Sequence, residues 1–260
     1  MRKRVFLISM FLFVECLVQT RAGSAESLIS WLLDQAYKIQ IQQDEIDPMM
    51  WMYENGTQAR EGDVAEIAYA LEAMGLGRST DVSIKEKERY LEDCLKEDLL
   101  ITKEVLALHL LWDIGCGQYD DMFCWHPSSN TVFAMDAELF GGEALYHDFF
   151  KGLNAICDGE MVFSEIQEDY SDANLEEGTG IIHIRFMVNG EEYFCDVQMM
   201  SDWFDAKIFN DISQISAKDM SERRLYATYD GLQGLIFLYQ TPEWVQEFSK
   251  RTGCVLSEAL

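Results

Sequence analysis

The chain has 260 residues, 48% of them hydrophobic and 12% aromatic, and 46 Asp and Glu against 20 Lys and Arg give a formal net charge of -26. That apolar content is enough for a sizeable core, while the charge repels phosphate backbones and anionic membrane surfaces, so nucleic-acid binding is excluded as an expectation and a basic protein or peptide is the partner the field would attract. With three prolines, no low-complexity tract and no internal repeat, the composition describes one compact body or two small ones.

In chain order, the first element is Met1-Arg2-Lys3-Arg4, followed by an apolar run over 5–18 and the small-residue patch Ala22-Gly23-Ser24-Ala25. This is the layout of a secretory signal peptide over residues 1–25, with cleavage expected after Ala25 and, as the alternative, after Ala22. The run is interrupted by Glu15 and falls short of the roughly 20 residues a membrane-spanning helix needs, so no span is expected once it is removed. Its loss takes away four basic residues and one acid, leaving 16 basic and 45 acidic and a net charge of -29. The expected location is therefore secreted or at the cell envelope. Cys94, Cys116, Cys124, Cys157, Cys195 and Cys254 remain, and most read as buried thiols, with Cys116 to Cys124 the expected bridge.

Residues 26–117 read as a helical region. Ser27 caps a helix over 27–43, with Leu28, Leu32, Ala36 and Ile39 on one stripe. The apolar block 48–53 follows. Trp51 and Tyr53 in it would be binding anchors if exposed, although a soluble protein is expected to bury such a run. Asp63-x-x-Glu66 and Ser83-x-x-Glu86 are capping boxes, the first leading into Val64, Ile67, Leu71 and Met74 and the second into Ile84, Leu91 and Leu95. Thr102 caps a fourth helix carrying Val105, Leu108 and Trp112, which stops at Gly115-Cys116-Gly117.

From 118 to 260 the period alternates between two and 3.6. Strands are expected over 131–139 and 161–168 with a helix over 143–156 between them. The dipeptide Asn189-Gly190 tolerates the positive φ of a type I′ turn, so 181–188 and 191–199 form a hairpin. Its register sets Phe186 against Tyr193, Ile184 against Cys195 and Ile182 against Val197 on one face, and His183 against Asp196 on the other, with Cys195 a buried, unbridged thiol. A second hairpin, 225–229 and 232–239, turns at Asp230-Gly231. Thr241-Pro242 then opens a last helix with Trp244, Val245 and Phe248 that ends at Gly253. The expected fold is α+β, a four-helix region packed on a mainly antiparallel sheet with interspersed helices, and the two regions together can make one compact domain.

Chemistry-bearing residues are scattered. Cys124 and His126, with Asp120 and Asp121 close by, could pair as thiol and base, but in an extended segment no third group orients the base, so a loop or disulfide position is the plainer reading. His183 opposite Asp196 could be a tuned acid-base pair; an ordinary cross-strand polar pair is the reading adopted. Between 165 and 178 the acids cluster, and Asp169, Asp172, Asn174 and Glu176 offer hard oxygen ligands for calcium. Yet counted from Asp172, Glu177 stands where an EF-hand needs glycine and His183 where it needs the bidentate Glu, so a solvated loop is expected and no metal. No HExxH, GxSxG or GxxxxGK[ST] pattern occurs, and no cofactor is called for. The function these residues suggest is an exported, acidic, non-catalytic module that binds a protein or peptide; the alternative is a hydrolase-like enzyme with a cleft between the helical and α+β regions.

Overall fold

Alternation decides the architecture. The two strands 225–229 and 234–240 are apolar at nearly every position, so both of their faces need covering, whereas 181–188 and 191–198 alternate and need cover on one face only. The computed structural model describes residues 56–260 except 78, 98, 100, 123, 139–144, 202, 219–220 and 230–232, and these belong to one compact unit. The expected helix over 27–43, the expected signal segment over 1–25 and the block holding Trp51 and Tyr53 lie outside the described residues.

The described elements are α1 (Asp63–Ala73), α2 (Asp81–Lys96), α3 (Lys103–Gly115), β1 (Gln118–Tyr119), β2 (Trp125–His126), β3 (Phe133–Asp136), α4 (Leu145–Cys157), β4 (Phe163–Asn174), β5 (Thr179–Val188), β6 (Glu191–Gln198), α5 (Lys207–Lys218), β7 (Arg224–Tyr229), β8 (Gly234–Gln240) and α6 (Pro242–Thr252). They make an α+β fold with antiparallel sheets: a β1–β2 ribbon, an inner sheet in the order β3-β8-β7 and an outer sheet in the order β4-β5-β6. No described helix is long and apolar enough to cross a membrane.

The inner sheet divides two cores. On one face Val132, Ala134, Tyr226, Ile236 and Leu238 meet Leu71, Leu91, Leu108 and Phe248 from α1, α2, α3 and α6. α3, buried from Glu104 to Leu108 and again at Leu110 and Leu111, is the centre of that layer, as a helix apolar nearly all round must be. On the other face Phe133, Leu225, Phe237 and Tyr239 meet α4 and α5, and those helices in turn cover Ile182, Ile184, Phe186, Cys195 and Val197 of the outer sheet. The layers thus run helices, inner sheet, helices, outer sheet. Phe237 joins three other rings in this core, with centroids 5.2 Å from Phe133, 5.5 Å from Phe149 and 5.2 Å from Phe209.

Local chemistry corrects several expectations. Neither capping box is made. The N-cap of α1 is Gly62, at φ 89°, and Asp63 sits inside the first turn, where its carboxylate accepts from the Arg60 N–H at 2.7 Å and pairs with Lys103 at 2.8 Å. α2 begins earlier than expected because Thr80 caps it, accepting from the Ser83 N–H at 3.1 Å, and Leu95, expected inward, is exposed. Thr102 and Thr241 do cap α3 and α6, with Pro242 at the first helical position and Gly253 closing α6 at φ 76°. A Cβ on Gly253 would also fall 2.5 Å from the Glu104 carboxylate, so that position needs glycine twice over.

The β5–β6 hairpin has the expected register at every pair, through Asn189 (φ 50°) and Gly190 (φ 87°). The β7–β8 hairpin does not turn at two residues: Tyr229 faces Leu235, so five residues intervene. β4 runs six residues past its expected end, carried through bulges after Ser164 and Asp169 that break the sequence alternation; Glu165 in the first takes φ 51°. The acidic stretch is therefore largely strand and not loop. α5 was not expected at all, although Ile208, Phe209, Ile212 and Ser216 line one face and the Asp205 carboxylate accepts from the Lys207 N–H at 2.9 Å.

Candidate functional site

The solvent face of the outer sheet is built by register. On β5 the outward residues are Ile181, His183, Arg185 and Met187, flanked on β4 by Asp172, Asp169, Gln167 and Ser164 and on β6 by Gln198, Asp196, Phe194 and Glu192. His183 is at its centre. Its Nδ1 lies 2.7 Å from Asp196 Oδ1 and its Nε2 lies 3.0 Å from Asp172 Oδ2. The bulge after Asp169 is what brings Asp172 within reach. An imidazole can donate from both nitrogens only when protonated, so Asp196 first and Asp172 second raise its pKa above the ordinary 6.5. The expected His183–Asp196 pair is present, joined by a second carboxylate that the sequence register could not supply. Asp169 accepts from the Ser171 N–H at 2.9 Å, a bond that holds its carboxyl below the usual range. Beside this charged centre Phe194 stands 70% exposed, and Glu192 pairs with Arg185.

Cys124 and His126 do not pair. His126 Nε2 lies 3.0 Å from Asp120 Oδ2, while Asp120 Oδ1 accepts from the Met122 and Cys124 N–H groups at 2.8 and 2.9 Å. The His126 ring, then those two amides, keep the Asp120 carboxyl below its ordinary value. So the orienting group is there and the nucleophile is not: the Cys124 thiol is exposed and faces the Met122 carbonyl at 3.9 Å. The expected Cys116–Cys124 bridge is likewise absent, both being free thiols. Gln118 pairs with His126, and the Asp120 N–H donates to the Cys124 carbonyl at 3.0 Å. In that register Cys116 and Cys124 are about four rungs apart, roughly 13 Å at ~3.3 Å per residue, beyond the ~7 Å Cα separation a disulfide spans.

The four calcium candidates are not gathered round a point. Asp172 is committed to His183, Asp169 to Ser171, and the Asn174 side-chain oxygen accepts from the N–H groups of Glu176 and Glu177 at 3.2 Å each. Among the described residues no group of three or more His, Cys, Asp or Glu is placed to hold a metal ion.

A cleft of about 790 Å³ does open between the helical region and the segment after β2, lined by Ser79, Thr80, Ser83, Asp113, Ser128 and Asn130 among others. Among the described residues no histidine or thiol lines it. Its carboxylate, Asp113, accepts from the Ser83 hydroxyl at 2.5 Å and pairs with Lys87 at 3.2 Å. The other histidines sit elsewhere: His109 rests against the Tyr90 ring at 5.6 Å, and His147 donates its backbone N–H to Glu168. Sequence reasoning missed one cluster, Cys195 with Lys207 and Asp211, because two of its members are on the unforeseen α5.

Compared with protein-family models, with curated proteins and with solved structures, the chain matches none.

Proposed function

We propose that the protein is an exported, acidic, non-catalytic module that binds a basic protein or peptide through the solvent face of the β4-β5-β6 sheet. The observation that carries this reading is the separation of cleft from chemistry. Among the described residues no histidine or thiol lines the cleft between the two regions, where a hydrolase would work, while His126 and His183 are tied to carboxylates on exposed surfaces. The outer face adds Asp169, Asp172, Asp196 and Glu192 around an exposed Phe194, an aromatic anchor within an acidic field, which suits a partner bearing Lys or Arg next to apolar side chains. The basic, apolar and small-residue layout of 1–25 supports export.

The test is binding of a lysine-rich peptide by calorimetry at low and high salt, comparing the unaltered chain with Asp169→Asn/Asp172→Asn/Asp196→Asn and with a control removing three carboxylates from α2 (Glu86, Glu88 and Glu92). The reading expects the sheet variant to lose binding well beyond the α2 variant, with affinity falling as salt rises. Equal losses in both would reduce the effect to overall charge and overturn the assignment to this face. For export, intact mass of the released product should lack residues 1–25; retention of Met1 would refute cleavage.

A further inference from the structure

Cys195 is on the inward face of β6, with 3% of its surface exposed, and its thiol meets α5. The Sγ donates to Asp211 Oδ2 at 2.9 Å, and Lys207 Nζ lies 3.5 Å from the sulfur and 2.6 Å from the same carboxylate oxygen. Lys207 and Asp211 are one turn apart on α5, so a single helix face delivers amine and carboxylate together to one sulfur. Burial, then the Asp211 carboxylate, push the thiol up to about 12, so it rests as S–H and is inert as a thiolate nucleophile. The amine, by contrast, is open, its side chain 51% exposed. Among the described residues no other thiol shares this arrangement: those of Cys116, Cys124 and Cys254 face backbone carbonyls.

We propose that Cys195 and Lys207 form a site of oxidative modification, closing through one bridging oxygen into a covalent S–O–N link between β6 and α5. Dioxygen is the oxidant. The S–H bond and N–H bonds of the amine break, and one S–O and one O–N bond form. Sulfur and nitrogen each give up two electrons, and the four together reduce dioxygen, one oxygen atom remaining in the bridge and the other leaving as water. The surplus ammonium proton passes to Asp211, which already touches both partners. The geometry selects this product over its rivals. An interposed oxygen spans most of the 3.5 Å between sulfur and nitrogen, a gap that a direct S–N bond would have to close almost by half. A disulfide has no second thiol to hand, and bulky reagents do not reach a sulfur so deeply covered, whereas a small apolar gas does. Such a link is opened by thiol reductants, as sulfur's lower oxidation states are in general. It would tie the outer sheet to the helix layer beneath it.

The test is intact mass of the full chain after incubation in oxygenated buffer without reductant. A fraction should gain one oxygen and lose two hydrogens, should lose Lys-C cleavage after Lys207, and should revert on treatment with dithiothreitol. Cys195→Ser and Lys207→Arg should each abolish the species, and Asp211→Asn should slow its formation several-fold. Lys207→Arg retains a cation for Asp211, and circular dichroism establishes that this variant folds. An unchanged mass, a gain of oxygen without loss of hydrogen, or the same mass shift in Lys207→Arg would each overturn the proposal.

Discussion

The inner and outer sheets are both three-stranded and antiparallel, yet they are stabilised in different ways. β3-β8-β7 is covered on both faces, one by α1, α3 and α6 and the other by α4 and α5, so its strands are held by packing from two cores. β4-β5-β6 buries only one face, and its other face is organised by charge, with His183 between two carboxylates and Arg185 paired to Glu192. The inner sheet should therefore respond steeply to lost volume and hardly at all to pH. The outer face should do the reverse.

The sharpest break would come from Phe237→Ala. Phe237 is fully buried and touches three other rings, and truncating such a residue costs about 3–5 kcal/mol. Urea unfolding of the variant measures this, and a loss below about 1 kcal/mol would show that the double-sided core is not as packed as described. Next, Gly190→Ala places a side chain in open space but at φ 87°, so its cost is backbone strain alone, about 1–2 kcal/mol. Gly152→Ala tests the inner sheet by volume instead: the added Cβ would sit 2.5 Å from the Phe133 ring. Overpacking of about 1–3 kcal/mol is offset by roughly 1 kcal/mol of helix propensity, so a net loss of about 1 kcal/mol is expected by the same unfolding assay. The smallest effect belongs to Phe194→Ala on the outer face, within about 0.5 kcal/mol, since its ring is mostly in water already.

The charged centre gives the pH signature of the outer sheet. His183 is raised in the fold above 6.5, so its contribution to stability is fully present below the unfolded-state value and is lost as pH rises through the higher folded one. Asp196→Asn should move the His183 titration, followed by NMR, toward lower pH while Asp172 keeps part of the shift. An unchanged titration would remove Asp196 as the leading cause. The pair is partly exposed, so the effect on global stability is small and is seen best as a change of slope with pH.

How much of this was legible follows from the same contrast. Where one face is wet, alternation fixes register, and every pair of the β5–β6 hairpin can be read from Asn189-Gly190 and the apolar residues beside it. Where both faces are dry, alternation vanishes. Leu235 to Tyr239 is apolar throughout, nothing in it says which residue faces Tyr229, and five residues intervene where Asp230-Gly231 suggests two. Bulges hide register in a second way: after Ser164 and Asp169 the pattern shifts phase, so alternation stops at 168 and the acids beyond it read as a loop. The site inherits these limits. His183 and Asp196 come from the legible hairpin. Asp172 arrives only through a bulge, and Lys207 and Asp211 through a helix entered by a turn at Asp205, whose carboxylate accepts from the Lys207 N–H. The β1–β2 ribbon sets Cys124 opposite Asp120 and so parts it from Cys116, although sequence proximity suggests a bridge.

The most direct test of the central claim, that the outer sheet's wet face and not the cleft is the working surface, is NMR mapping of the isotope-labelled protein during titration with a lysine-rich peptide. Amide shifts should concentrate on Asp169, Asp172, His183, Phe194 and Asp196 and fade as salt is added. Shifts centred instead on Ser79, Ser83, Asp113 and Asn130 would contradict the proposed binding face and point to the cleft.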